Sequence, residues 1–324
     1  MIEQIAQLSE NERKALFMEA SSTLKMNAEM VEKDFWVCWV LNRIFSDDYL
    51  KKVFCFKGGT SLSKAYHLIE RFSEDIDLIL DWNTVSNGEE IYKQSKNQQN
   101  KRNEELLVNS QQFISTVLKD KIEQVVGDIC RVTVDEQDKN NLQIWYPKGI
   151  SGNYLLSYIK LEIGPLAAWM PNKPCAIVPY VNGLANNITF KDIIVPTIVA
   201  ERTFWEKATI LHSEHYRTSG IPDRYSRHYY DLYKMAQTGI KDAAFANIEL
   251  LKAVVDFKQT FYYTAWAHYS EAKVGSFHLL PTSDNLKNLR NDYQKMHGMI
   301  FGDYPDFDEI LASLKDLEQQ INQL

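Results

Sequence analysis

Two aspartates, Asp75 and Asp77, flank a single isoleucine in the run DIDLIL, and a glycine pair, Gly58-Gly59, stands a short way upstream in FKGGTSLSKAY. In a strand, side chains alternate between faces, so both carboxylates point one way while Ile76 and Leu78 point the other. Two carboxylates held close repel, and each disfavours ionisation of its neighbour. A hard divalent cation between them removes that penalty. Mg²⁺ (or Mn²⁺) is commonly held by one or two carboxylates together with substrate phosphates. The glycines supply the other half. Gly58 and Gly59 let the backbone approach a ligand closely. A helix starting at Thr60 or Ser61 would aim free N–H groups at an anion. The pattern predicts a phosphate cradle beside a metal cradle, which suits a nucleoside triphosphate. The bland alternative is a tight turn followed by a solvent-facing acidic strand.

Two better-known phosphate motifs are excluded. A P-loop needs GxxxxGK[ST], and here Lys57 precedes the glycines. A dinucleotide fingerprint needs a third glycine that is absent at the required spacing. Two-metal chemistry calls for a third carboxylate. The stretch YLLSYIKLEIGP offers Glu162, with Tyr158 and Lys160 on the same strand face and Ile159, Leu161 and Ile163 on the other. Lys160 could meet phosphate. A Lys160–Glu162 pair on an exposed sheet face is the plainer alternative.

The elements that must position these groups follow from periodicity. Residues 9–45 read as two helices, the first with a capping-box spacing at Ser9 and Glu12. KVFCF reads as a strand, followed by the glycine turn, a helix from about 61 to 70, and the acidic strand. The polar stretch 83–104 reads as a mobile loop or helix entry. A helix is predicted over 105–126, with strands near 128–135, 142–147 and 154–163. Helices are predicted near 197–213, 226–237 and 283–298, and from 306 onward. The fold class is therefore α+β: a mixed sheet with flanking helices over 1–199, then a helical domain over 200–324.

The chain has 324 residues, 45% of them hydrophobic, enough for a large core, and a net charge of −7. That charge excludes a generic nucleic-acid binder, though a local patch could still hold an RNA or DNA end. Lys93, Lys96, Lys101 and Arg102 form one candidate, and Arg217, Arg224 and Arg227 another, with a solvated face as the alternative. No apolar run is long enough to cross a bilayer and the N-terminus does not resemble a secretion signal, so a cytoplasmic protein is expected. The four cysteines form no CxxC pair and read as buried thiols. His212 and His215 lack a carboxylate at zinc-ligand spacing. The Tyr and Trp residues of 261–269 read as core rather than as a base-stacking platform.

KGGTSLSKAY, ERFSEDIDL, AERTFWEKATILH and SRHYYDLYKM, in that order, resemble the AbiEii/AbiGii toxin group of nucleotidyltransferases, within the DNA-polymerase-beta-like superfamily. VEKDFWVCWVL and the aromatic C-terminal segment resemble it too, so the likeness spans nearly the whole chain. The resemblance implies nucleotide and Mg²⁺ binding at Gly58, Gly59, Thr60, Asp75 and Asp77. It implies a functional lysine at Lys207 and an arginine–aspartate motif at Arg227 and Asp231. Glu162 stands where superfamily members often carry aspartate. Arg71 and Ser73, just before the aspartates, are candidate orienters of the nucleotide. Lys207 lies off the Phe204, Ala208, Leu211 core stripe of its helix, and could neutralise triphosphate charge. Arg227 and Asp231 are four apart, the spacing of an intrahelical ion pair.

The expected activity is Mg²⁺-dependent transfer of a nucleoside monophosphate from an NTP to an acceptor. The resemblance points to a toxin paired with an antitoxin, and to a tRNA end as acceptor, with protein modification next. A nucleotide-binding partner protein without turnover is the alternative from another class.

Overall fold

The run MVEKDFWVCWVLNRIF forms most of a long helix because its apolar residues occupy nearly every side of the helix. Phe35, Trp36, Trp39, Val40 and Leu41 are all fully buried. Burying side chains of this size contributes about 1.5–3 kcal/mol each. The computed structural model describes residues 1–152, 155–184 and 188–324. The chain divides into two compact units. The first comprises Met1–Tyr66, Phe72–Lys93 and Lys101–Ile198; the second comprises His67–Arg71, Gln94–Asn100 and Val199–Leu324.

The elements in chain order are α1 (Ile2–Ala6), α2 (Glu10–Leu24), α3 (Ala28–Ser46), α4 (Leu50–Val53), β1 (Phe54–Lys57), α5 (Gly58–Lys64) and β2 (Ile76–Leu80). Then come α6 (Lys96–Phe113), a wide π-turn (Ile114–Leu118), α7 (Lys119–Val126), β3 (Arg131–Val134), β4 (Asn141–Trp145), β5 (Ile159–Gly164), β6 (Asn172–Ile177) and β7 (Ile193–Ile198). The helices α8 (Ala200–His215), α9 (Ser226–Ala236), α10 (Gly239–Ala246), α11 (Ile248–Phe261), α12 (Ser283–Lys295) and α13 (Phe307–Asn322) complete the chain. The helix α2 starts with the predicted capping box: the Glu12 carboxylate accepts from the Ser9 backbone N–H at 2.9 Å, and the Ser9 hydroxyl accepts from the Glu12 N–H.

Among the described residues, all seven strands belong to the first unit and form one mixed sheet, ordered β3-β4-β5-β2-β1-β7-β6. The β2–β5 and β1–β7 pairs are parallel and the others antiparallel. One face carries Phe54, Phe56, Ile76, Leu78, Leu142, Ile144, Ile159, Leu161 and Ile163, all buried. Helix α3 packs on β5 and β7. All four cysteines are buried free thiols.

Several boundaries differ from the sequence reading. Helix α5 ends at Lys64 rather than near 70. The segment after it is drawn into the second unit, where the Glu70 carbonyl accepts from the Phe301 N–H at 2.9 Å and Arg71 bridges Ile300. Tertiary partners there outweigh helical propensity. Helix α6 starts at Lys96, inside the stretch expected to be a mobile loop. Arg102 is buried within the first unit, donating to the Ser86 carbonyl at 2.7 Å and pairing with Glu89 and Glu105, so it contributes nothing to a basic patch. The strand expected from 154 begins at Ile159; position 154 lies outside the described residues. Strand β6 was not anticipated: it carries Pro174 and sits at the sheet edge, where a missing N–H is tolerated. Among the described residues, no helix is long and apolar enough to cross a membrane.

Candidate active site

In the first unit, the alternation expected of the acidic run is present: Asp75 and Asp77 are half-exposed while Ile76 and Leu78 are buried. Pairing sets their neighbours. Asp77 stands opposite Lys57 on β1 and opposite Glu162 on β5. Directly paired residues project from the same face of a sheet. Lys57, Asp77 and Glu162 therefore make one row across three adjacent strands, opposite to the apolar face. Gly58 follows Lys57 with φ of +80°, a backbone conformation that favours glycine. The Asp77 carboxylate rests directly on it: a Cβ on Gly58 would lie 1.9 Å from Asp77 Oδ2.

The hydroxyls of the turn fasten it to the acidic strand. Buried Thr60 donates to the backbone carbonyls of Asp75 and Ser73, and buried Ser61 donates to the Gly58 carbonyl at 2.8 Å. Both side chains thus hold the loop geometry, while Gly59, half-buried, continues the first turn of α5.

Lys160 and Glu162 share the polar face of β5, and their side chains pair at 2.6 Å. Burial works against the Lys160 charge, but the Glu162 carboxylate, with Asp75 and Asp135, outweighs it and raises the lysine pKa. Among the described residues, no three His, Cys, Asp or Glu side chains gather closely enough to hold a metal ion. Asp75 and Asp77 nonetheless fit a hard divalent ion as a two-carboxylate donor set. They share one half-exposed face, and the glycine beneath Asp77 leaves space that any other residue would fill.

The second unit holds a separate ionic cluster. Asp231, on α9, is fully buried. Arg71 grips it with two hydrogen bonds, Nε to Oδ1 at 2.6 Å and Nη2 to Oδ2 at 2.8 Å, and Lys207 Nζ lies 2.7 Å from Oδ2. Burial alone would raise the Asp231 pKa; the two cations instead hold it far below the usual carboxylate range. Burial depresses the Lys207 pKa against the pull of Asp231, with the charges of Arg71 and Arg227 adding to the effect. His228 Nδ1 lies 3.5 Å from Lys207 Nζ, and burial with the Lys207 and Arg227 charges keeps its imidazole neutral. The intrahelical pair suggested by the Arg227–Asp231 spacing is replaced by this grip from Arg71 and Lys207.

The start of α9 is anchored by Asp292 on α12. Its carboxylate accepts from the backbone N–H groups of Arg224 and Ser226 at 2.7 and 2.9 Å, and from the Ser226 hydroxyl at 2.6 Å. Arg224 is exposed and held at φ of +65°. On α8, Phe204, Ala208 and Leu211 are buried as the stripe predicted.

The family model of the nucleotidyl transferase AbiEii toxin, of type IV toxin–antitoxin systems, matches residues 39–313. The chain belongs to the AbiEii family. As a member, it is a nucleotidyltransferase, and its α+β architecture with a mixed sheet agrees with that assignment. No curated protein sequence matches it. Among solved structures it is similar to MenT4, a nucleotidyltransferase toxin from Mycobacterium tuberculosis H37Rv. The two share 15% identity over 98% of this chain and 97% of that one, with a TM-score of 0.42.

In this AbiEii chain, one group of residues escaped the sequence reading. Glu32, Lys33 and Asp34 are consecutive, charged and buried. Lys33 pairs with Glu74 at 2.8 Å, next to Asp75. Asp34 pairs with Lys64 at 2.7 Å and accepts from the Tyr180 N–H. Glu32 accepts from the N–H groups of Gly149 and Ile150 at 2.7 and 3.0 Å, and burial raises its pKa. A charged triplet inside an otherwise apolar helix was the available signal, since buried charges need partners.

Proposed function

We propose that this AbiEii-family enzyme transfers a nucleoside monophosphate from an NTP to the hydroxyl of an RNA acceptor, a tRNA end being favoured. The observation that carries this reading is the Asp77 carboxylate resting on Gly58, in line with Glu162 and beside Asp75. The acceptor oxygen attacks the α-phosphorus, the bond from that phosphorus to the bridging oxygen breaks, and pyrophosphate leaves with the bond electrons. Glu162 takes the hydroxyl proton, and Lys160, paired with it, keeps the carboxylate oriented. The turn of Gly58, Gly59, Thr60 and Ser61 shapes the phosphate pocket, with Ser73 as an orienter of the nucleotide; Arg71, which the sequence suggested for that part, instead serves Asp231 in the second unit. Asp75 and Asp77 are the residues that would hold Mg²⁺ or Mn²⁺, which supplies neutralisation of the phosphate oxygens during in-line displacement. Lys207, its ammonium fixed by Asp231, is assigned as the cation of the second unit that meets substrate phosphate. Arg224 and Arg227 are assigned to the acceptor. Membership of a toxin–antitoxin family implies a cognate antitoxin protein as partner.

The test mixes the purified protein, Mg²⁺ and each labelled NTP with total RNA, and separately with total protein. Label entering RNA, and lost in Asp77→Ala, is the expected result. Label entering protein alone would replace the acceptor. Equal labelling by Asp77→Ala would overturn the site.

A further inference from the structure

The aromatic run 261–269, which the sequence suggested was core, is only partly so. Tyr262, Tyr263 and Trp266 are 49%, 46% and 39% exposed. Singly exposed rings are ordinary, but rings flanked by cations are the parts from which single-strand nucleic-acid sites are built. Here cations sit against two of them. Lys96 Nζ lies 3.3 Å from the centre of the Tyr263 ring, and the Arg217 guanidinium lies 4.3 Å from that of Trp266. The arrangement continues inward within the second unit. Arg217 also lies 6.0 Å from the Tyr225 ring, Tyr225 packs edge-on against His228 at 5.0 Å, and His228 adjoins Lys207. Lys207, His228, Tyr225, Arg217 and Trp266 thus follow one another, two adjoining rings between two cations, and Lys96 with Tyr263 forms a second pair three residues along the chain from Trp266.

We propose that this strip binds single-stranded RNA, with bases stacking on Trp266 and Tyr263 and phosphates meeting Lys96 and Arg227. The proposal rests on the RNA-acceptor reading above and adds the surface that would hold the acceptor strand. Its chemistry is that of single-strand recognition, in which aromatic faces accept any base and nearby cations follow the backbone. Arg217 is committed to Glu214, with bonds of 2.6 and 2.9 Å, so its part is to brace the Trp266 ring. Lys96 and Arg227 pair with no carboxylate among the described residues, which leaves their charge for an anion. The local charge matters because the whole chain is acidic at −7 and would otherwise repel RNA.

The experiment uses the full chain carrying Asp77→Ala, so that binding is read without turnover. Fluorescence anisotropy follows a labelled single-stranded RNA of about twelve nucleotides, within the span of single-strand sites, and a CCA-ended tRNA. Trp266→Ala and Tyr263→Ala should each weaken binding about tenfold, while Trp266→Phe keeps most of it. Lys96→Ala should lower the slope of log affinity against log salt by about one. Lys96 is exposed, so that variant keeps the test open if Trp266→Ala fails to fold. Tyr49→Ala, an exposed tyrosine of the first unit, should change nothing. Wild-type affinity in all three strip variants overturns the proposal, as does the absence of RNA binding, or binding of the antitoxin at these rings instead. If the active protein labels RNA while these variants bind it normally, the strip fails and nucleotidyl transfer stands. If RNA binds through these rings but is never labelled, the transfer reading fails and the strip stands.

Discussion

Gly58, the first residue of α5 directly after β1, lies against Asp77 on β2, the carboxylate sitting where any side chain on residue 58 would have to go. The glycine is required twice, once by its φ of +80° and once by this packing. Gly58→Ala should therefore abolish nucleotidyl transfer by displacing Asp77. The backbone strain and clash should also destabilise the fold by about 1–3 kcal/mol. Chemical denaturation beside the labelling assay checks both. An active Gly58→Ala enzyme would show that Asp77 need not stay where it is.

Lys33 is completely buried and gives its charge to Glu74, the residue before Asp75, while also donating to the Leu156 carbonyl at 3.0 Å. Lys33→Met should strand the Glu74 carboxylate and lower stability by about 3–5 kcal/mol. Adding Glu74→Gln should recover much of that loss, since the amide carries no charge. Urea midpoints of the two variants decide the matter: equal values would mean that the pair is energetically silent.

Asp231 balances Arg71 and Lys207 without any exposure to water. Asp231→Asn should leave two buried cations facing an amide and reduce stability by about 3–5 kcal/mol. Arg71→Met should then be less harmful in that background than in the wild type, because its partner's charge is already gone. A double-mutant cycle measures this coupling. Additive effects would argue that Arg71 and Asp231 act independently.

His212 is buried in α8, its Nδ1 accepting from the His278 N–H at 3.1 Å and its Nε2 bonding the His268 carbonyl. Burial pushes its pKa down to about 4, and the His228 and His278 imidazoles are also depressed, chiefly by burial. An unfolded histidine protonates near 6.5. As pH falls from about 6.5 towards 4, the unfolded chain therefore binds protons that the folded one refuses, and stability is lost. Thermal melts of the wild type should fall over that window, with His212 contributing up to ~3 kcal/mol. His212→Asn should flatten the dependence while lowering stability at pH 7.5. A variant with an unchanged pH profile would rule out this histidine as a source of the acid sensitivity.

The local patterns in the sequence were readable wherever one strand or one helix decided the outcome. The alternation at Asp75–Leu78, the Ser9–Glu12 cap and the buried stripe of α8 all depend on near neighbours. What could not be read depends on distant segments. Nothing in the spacing of Arg227 and Asp231 indicates that Arg71 takes the carboxylate. Nothing in EKD indicates that Glu74, Lys64 and the Gly149–Ile150 amides receive those charges. The aromatic run 261–269 has the composition of a core, and only its position after α11 leaves Tyr262, Tyr263 and Trp266 at the surface. Helix α5 stops early for the same reason, since the residues beyond it serve the other unit.

The chain makes that detour between the glycine turn and the aspartates: it leaves the first unit after Tyr66, gives Arg71 to the second, and returns at Phe72. The polypeptide is thus stitched rather than strung. Recombination at the apparent seam near Val199 would part Asp231 from the arginine that neutralises it, so neither portion can be exchanged as a ready-made cassette. A chain cut anywhere between the sheet and Asp231 would leave Arg71 without its carboxylate.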